Sequence, residues 1–202
     1  ASFCNIGLQL DLSKYSDTAK ELLFNSALPG KDISYNKSSF ALDNNATSSD
    51  RMMTAMGQGE TLVSPYHMAL ITSAVANGGR LMEPYLVEEV TNYSGTIVEE
   101  TDPESYGQLM TSEEAAQLKV YMQNVTDYGT GSVFAGSGYS VAGKTGTAEY
   151  SDGDSSKNHS WFVGFTNVDN PELVISVIIE EADGNVRAVD VAKQILDSYY
   201  YN

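Results

Sequence analysis

Apolar residues fall at Ile6, Leu8, Leu10 and Leu12 and again at Tyr15, Ala19, Leu22 and Leu23. This spacing predicts two short helices with a break over residues 11–16. Residues 29–49 are polar and turn-rich, have no usable period, and read as a long surface loop. A clear helix start follows, with Ser64 as N-cap and Pro65 in the first helical position. Met68, Ile71, Thr72 and Val75 share one face of that helix, and Asn77-Gly78-Gly79 ends it with residues that tolerate a left-handed backbone. Residues 86–90 and 96–99 flank Asn92-Tyr93-Ser94-Gly95, the pattern of a small peripheral hairpin. Thr111-Ser112-Glu113-Glu114 is a capping box that opens another helix. Its expected buried stripe is Ala115, Leu118, Tyr121, Met122 and Val125, and Gly129-Thr130-Gly131 breaks it.

The last third changes period. Residues 139–149, 159–166 and 173–180 read as strands, the third rich in β-branched residues and expected to be covered on both faces. The links between them are short enough for antiparallel hairpins. Residues 186–200 close the chain as an amphipathic helix, with Ala188, Val191, Ala192, Ile195 and Tyr199 expected inward. Helices, then three antiparallel strands, then a helix make an α+β domain. Residues 1–202 are read as one piece of a single domain. Within it, 1–138 is mainly helical with a small hairpin near 86–99, and 139–202 holds the sheet and last helix.

The net charge is −16, from 27 acidic and 11 basic residues. Nucleic acid and anionic lipid are therefore poor partners, because both need clustered lysine and arginine to displace counterions. The single cysteine, Cys4, excludes an internal disulfide and a cysteine-based zinc site within one chain. Its apolar surroundings predict a buried, inert thiol. The apolar run at 173–179 is too short to span a bilayer. An export signal or membrane anchor is expected upstream of Ala1. Ala1-Ser2-Phe3 enters a helical pattern with no cap, so the chain is expected to begin inside a domain. No zinc, nucleotide or haem signal is present, and no cofactor is expected.

The candidate chemistry lies at Val141-Ala142-Gly143-Lys144-Thr145-Gly146-Thr147-Ala148-Glu149. A lysine in mid-strand, framed by small residues and threonines, suits the wall of a cleft better than a core. Lys144 offers a positive charge, Thr145 and Thr147 offer hydroxyls to a carboxylate, and Gly146 lets a ligand lie against bare backbone. A strand-edge N–H beside such a glycine is a natural oxyanion donor. Taken alone, Lys-Thr-Gly recurs by chance, and a lysine on an exposed strand face would serve as well. Gly138, Gly143, Lys144 and Thr145 also match the P-loop spacing formally, but no strand precedes them and no helix follows.

The segment resembles the third motif of the penicillin-recognising serine enzymes, whose set is Ser-x-x-Lys, Ser-x-Asn and Lys-Thr-Gly. Gly57-Gln58-Gly59-Glu60, Ser64-Pro65, Ala76-Asn77-Gly78-Gly79 and Pro84 resemble class B penicillin-binding proteins in order and spacing. So do Tyr128-Gly129-Thr130-Gly131 and the run from His159-Ser160-Trp161 through Phe162-Val163-Gly164-Phe165. The resemblance implies the penicillin-binding/serine β-lactamase-like transpeptidase fold, in part. It implies serine acyl transfer on D-Ala-D-Ala, from a peptidoglycan stem peptide to an amine on a second strand, and acylation by β-lactams. Lys144 would orient substrate and tune the serine hydroxyl, Thr145 and Thr147 would hold the carboxylate, Gly146 would keep the strand open, and the Thr147 N–H would form half of the oxyanion hole. The extracytoplasmic face of a bacterial membrane would be its place.

The nucleophile is the departure. Ser34-Tyr35-Asn36-Lys37 matches Ser-x-x-Lys formally, and Ser34-Tyr35-Asn36 matches Ser-x-Asn, but one serine cannot serve as both and it sits in a polar loop. In the family, Ser-x-Asn precedes a segment resembling residues 1–8, so both serine motifs are expected upstream and the fragment alone is expected to be inactive. A non-catalytic sensing or assembly module of the same fold stays open as an alternative. His67 is expected to pack or face solvent, His159 to lie near the cleft rim, Glu149 and Asp152 to sit at a solvated hairpin end, and Trp161 to be core. With only three strands, residues 173–180 are expected to expose an apolar edge, giving self-association or pairing with an N-terminal portion.

Overall fold

Asp11 decides where the first helices part. Its carboxylate accepts hydrogen bonds from the Ser13 and Lys14 N–H groups at 2.9 and 3.3 Å, so α2 (Leu12–Glu21) starts directly behind α1 (Ser2–Gln9). The expected break over 11–16 therefore shrinks to Leu10 and Asp11; the acidic residue caps a helix rather than ending one. The structure, a computed structural model, describes residues 2–150, 158–182, 184 and 186–201.

A short helix missing from the sequence reading, α3 (Ser48–Ala55), is built on a capping box between Thr47 and Asp50. It packs on α1, where Gly7 admits the contact: a Cβ there would stand 2.9 Å from the Arg51 carbonyl oxygen and 2.4 Å from the Ala55 side chain. Arg51 donates to the Gly7, Leu8 and Leu10 carbonyls and so closes the end of α1. Cys4 is half-buried rather than buried, with Sγ 3.8 Å from Met56 Sδ. The segment between α2 and α3 is irregular, as its composition indicates, yet Leu28, Ser38 and Leu42 are buried within it.

Ser64 caps α4 (Pro65–Ala76) by accepting from His67 N–H at 3.2 Å. Buried residues surround α4 almost completely, among them His67, Leu70, Thr72, Ala74 and Val75, so a single-face reading understated its depth. Gly78 and Gly79 take φ of 63° and 89°. The turn leads into β1 (Arg80–Met82), which pairs antiparallel with β4 (Ser105–Gln108). Between them projects the expected hairpin, β2 (Glu89–Thr91) and β3 (Ile97–Glu100).

Helix α5 (Ser112–Asp127) carries the expected Thr111–Glu114 capping box. Its buried residues are Ala115 and Thr126, while Leu118 and Tyr121 are exposed, which corrects the expected stripe. The helix turns Lys119 inward instead: its Nζ lies 5.7 Å from the centre of the Phe165 ring and donates to the Ala76 carbonyl.

Strands β5 (Val141–Glu149), β6 (Asn158–Thr166) and β7 (Val174–Ala182) form one antiparallel sheet in that order. Register pairs Gly143 with Gly164, Lys144 with Val163 and Gly146 with Trp161, and Phe162 with Val177 on the far side. Helix α6 (Ala188–Tyr201) covers one face, where Val141, Phe162, Ile175 and Val177 meet Ala188, Val189, Ala192 and Leu196. The other face meets α4, through Val75 and Ala76 against Ala142 and Phe165. Both faces of β7 are thus met by helices, but among the described residues its outer edge has no strand partner, and most of it stays half-exposed. In α6 the inward set is Ala188, Val189, Ala192 and Leu196, while Ile195 and Tyr199 point out. Adjacent apolar pairs such as Ile195-Leu196 leave the facing side undecided from spacing alone.

Candidate active site

Among the described residues β5 is an edge strand, with β6 as its one sheet neighbour. Its glycines explain how it lies there. A Cβ on Gly143 would come within 2.5 Å of the Phe162 ring, so bare backbone is required over that fully buried side chain. Gly146 faces Trp161, where a Cβ would meet the indole's Cβ at 3.2 Å.

Three side chains mark which backbone groups face outward. Thr126 Oγ1 donates to the Val141 carbonyl, Lys144 Nζ to the Thr145 carbonyl at 2.5 Å, and Gln58 Nε2 to the Thr147 carbonyl at 3.4 Å. These odd-numbered carbonyls therefore point away from β6. In an antiparallel ladder a residue's N–H and C=O face the same side, so the N–H groups of Thr145 and Thr147 also face the open edge. Side-chain alternation sets Lys144 and Gly146 on the α4 side of the sheet and Thr145 and Thr147 on the α6 side. Only at a free edge can one ligand touch all four, because it can lie along the strand and reach both sides.

Two distant segments bracket this edge. Gln58 arrives from Gly57-Gln58-Gly59, whose glycines take φ of 88° and 84° and bend the loop in a way other residues resist. Thr130 arrives from the end of α5, its hydroxyl oxygen 2.5 Å from that of Thr145. The sequence reading flagged both segments but gave neither residue a role. The glycines flanking Gln58 and Thr130 were the available signal, since they release the chain from regular structure at those points.

The remaining candidates separate from the edge. Ser34 is exposed in the irregular segment between α2 and α3, on no helix. His67 is fully buried, its Nε2 2.6 Å from the Leu22 carbonyl oxygen and its ring 4.7 Å from that of Phe24. Burial pushes its pKa below the ordinary histidine value, opposed in part by that carbonyl. His159 sits opposite Ala148, accepts the Glu181 N–H at Nδ1 (3.0 Å) and stacks on Tyr150. It shapes the hairpin end. Glu149 is exposed at the end of β5, Trp161 is half-buried, and Asp152 lies outside the described residues. Among the described residues no three histidine, cysteine, aspartate or glutamate side chains gather to hold a metal, and no helix is long and apolar enough to cross a membrane.

The model of the penicillin-binding protein transpeptidase domain matches residues 2–197. The chain belongs to that family. It is 32% identical over 172 residues to the peptidoglycan D,D-transpeptidase MrdA of Haemophilus influenzae, covering 76% of this chain and 26% of that protein. It is also 32% identical over 142 residues to stage V sporulation protein D of Bacillus subtilis, covering 68% of this chain and 22% of the relative. The chain thus spans about a quarter of the length of these relatives. The D,D-transpeptidase domain of an Eggerthella lenta peptidoglycan glycosyltransferase superposes with a TM-score of 0.82 at 27% identity, over 100% of this chain and 51% of that one. Penicillin-binding protein A of M. tuberculosis, solved as an imipenem acyl-enzyme complex, gives 0.83 at 22% identity over 98% and 44%. The α+β architecture is that of penicillin-binding transpeptidase domains, and the chain is a class B penicillin-binding protein transpeptidase-domain fragment.

Proposed function

We propose that β5 is one wall of a serine acyl-transfer site, completed by a serine-bearing segment outside these 202 residues. The observation that carries this is the open edge of β5, where the Lys144 ammonium and the Thr145 and Thr147 N–H groups converge. An extended peptide stem would add along that edge by main-chain pairing, with Gly146 leaving room for its backbone. Lys144 would draw in the carboxylate and lower the cost of ionising the serine hydroxyl. The Thr145 and Thr147 hydroxyls would fix the carboxylate. When the serine oxygen attacks the scissile carbonyl, negative charge develops on the carbonyl oxygen, and the Thr147 N–H would hold it. The C–N bond to the terminal D-alanine would then break, that residue leaving as a free amine with the proton given up by the serine. The acyl group would pass from serine to an amine on a second strand, whose lost proton restores the hydroxyl.

β-Lactams would acylate the same serine, in keeping with the acyl-enzyme complex of the M. tuberculosis relative. Substrates of this kind place the finished site on the extracytoplasmic face of a bacterial membrane. Without the serine the 202-residue chain is inactive, and the free edge of β7 is where an N-terminal portion, or a second copy, would pair.

The test is labelling by a fluorescent penicillin of the chain expressed together with the residues that precede it in its gene. Labelling that Lys144→Ala slows by about 10²–10³-fold, with unchanged melting, supports the reading. Labelling that survives the substitution intact, or no labelling at all, overturns it.

A further inference from the structure

The β2–β3 hairpin stands apart from the rest of the molecule. Every residue of both strands is exposed, and among the described residues neither strand packs appreciably on any other element. A two-stranded ribbon with no covered face is marginal in water. This one is nevertheless held in shape. Asn92 Oδ1 accepts from the Ser94 and Thr96 N–H groups, both at 3.0 Å, and Thr101 closes the base by donating to the Val87 and Glu88 carbonyls, both at 2.8 Å.

Its surface is unusual in two independent ways. Leu86 and Val87 are 70% and 56% exposed, Val98 is 62% exposed, and Val90 and Ile97 are also open to solvent. The charge, meanwhile, has one sign. No lysine, arginine or histidine occurs between Arg80 and Lys119, while Glu88, Glu89, Glu99, Glu100, Asp102 and Glu104 all do. Register sets Glu89 directly against Glu100, a like-charge pair that weakens the ribbon. No ion pair among the described residues involves these carboxylates.

We propose that this hairpin is a docking surface for an extended segment of another polypeptide in which lysine or arginine alternates with apolar residues. The segment adds as a third strand along the outer edge of β2. The extra residue of the register shift, Val98, lies on β3, and a bulge blunts the strand that carries it, which leaves β2 as the flatter edge. Apolar side chains of the partner cover Leu86, Val87 and Val90, and its cations enter beside Glu88 and Glu89 and relieve the repulsion from Glu100. The sign of the charge excludes the other occupants: nucleic acid and anionic lipid are repelled, and a second copy of this chain brings the same acidic edge. The inference does not depend on the acyl-transfer reading.

The probe is a labelled Lys-Val-Lys-Val-Thr-Val-Lys peptide titrated into the 202-residue chain by fluorescence anisotropy, with the glutamate-for-lysine peptide as control. The basic peptide is expected to bind, weaken with salt, and protect amides at 86–91 from hydrogen exchange. The double variant Glu89→Gln/Glu100→Gln is expected to weaken binding at least tenfold without lowering the melting temperature. The distant double variant Glu21→Gln/Glu113→Gln removes the same charge and is expected to leave binding unchanged. The proposal is overturned if no binding occurs up to millimolar peptide, if both peptides bind alike, or if the distant variant weakens binding as much as the hairpin variant.

Discussion

The two edges of the three-stranded sheet make an instructive pair. At the β5 edge, outward carbonyls are met by Thr126, Lys144 and Gln58, and Gly143 and Gly146 thin the strand to bare backbone. At the β7 edge the residues are the exposed Val174 and the half-buried Ile175, Val177, Ile178 and Ile179, which pair with β6 on one side and, among the described residues, meet no strand on the other. β5 gives up strand propensity and apolar burial to keep a polar edge open, whereas β7 keeps both and leaves an apolar edge. A sheet edge with small residues, a cation and hydroxyls is organised to receive a ligand. One made of β-branched residues is organised to receive another strand.

The largest expected effect removes what both edges share. Phe162 is fully buried in β6, between them, and packs against Phe134. Phe162→Ala is expected to cost about 3–5 kcal/mol of stability, read by urea unfolding. A loss under 1 kcal/mol would mean the edges do not depend on this core. The next substitution separates the edges. Val174→Lys puts a charge on the β7 edge and is expected to shift the chain from self-associated to monomeric in sedimentation, with melting changed by no more than about 0.5 kcal/mol. A wild-type chain already monomeric at high concentration would remove the contrast.

The smallest effect concerns α4, which backs the sheet. His67 is buried with its pKa held below the ordinary value, so the folded state resists taking up a proton that the unfolded chain accepts. Stability is therefore full above the unfolded histidine pKa and falls as pH drops below it. Melting at pH 7.5 and 5.5 should show this drop, and His67→Gln should flatten it.

Much of this architecture could be read before any coordinates. Ser64-Pro65, the Thr111–Glu114 box and the β-branched run near 174–179 each carry a local physical signal, and each forms the expected element. What escaped were features decided by tertiary context. Asp11 reads equally as a turn residue or a cap until a helix stands behind it. Leu118 and Tyr121 obey helical spacing yet lie outside, because α5 turns Ala115, Lys119 and Thr126 inward. The site divides the same way. The segment Lys144 to Thr147 stood out because glycine and lysine are anomalous in mid-strand, and its place on a strand is what the sequence could report. The approach of Gln58 to Thr147 joins residues 89 apart in sequence, and no local pattern reports such a meeting.

The claim that β5 is one half of an acyl-transfer site, without its nucleophile in these residues, meets its sharpest test in the intact mass of the 202-residue chain after incubation with excess benzylpenicillin. An unmodified mass is expected. A stoichiometric acyl adduct would contradict it, and Ser34, the one residue here that formally heads a Ser-x-x-Lys, would be the first to replace.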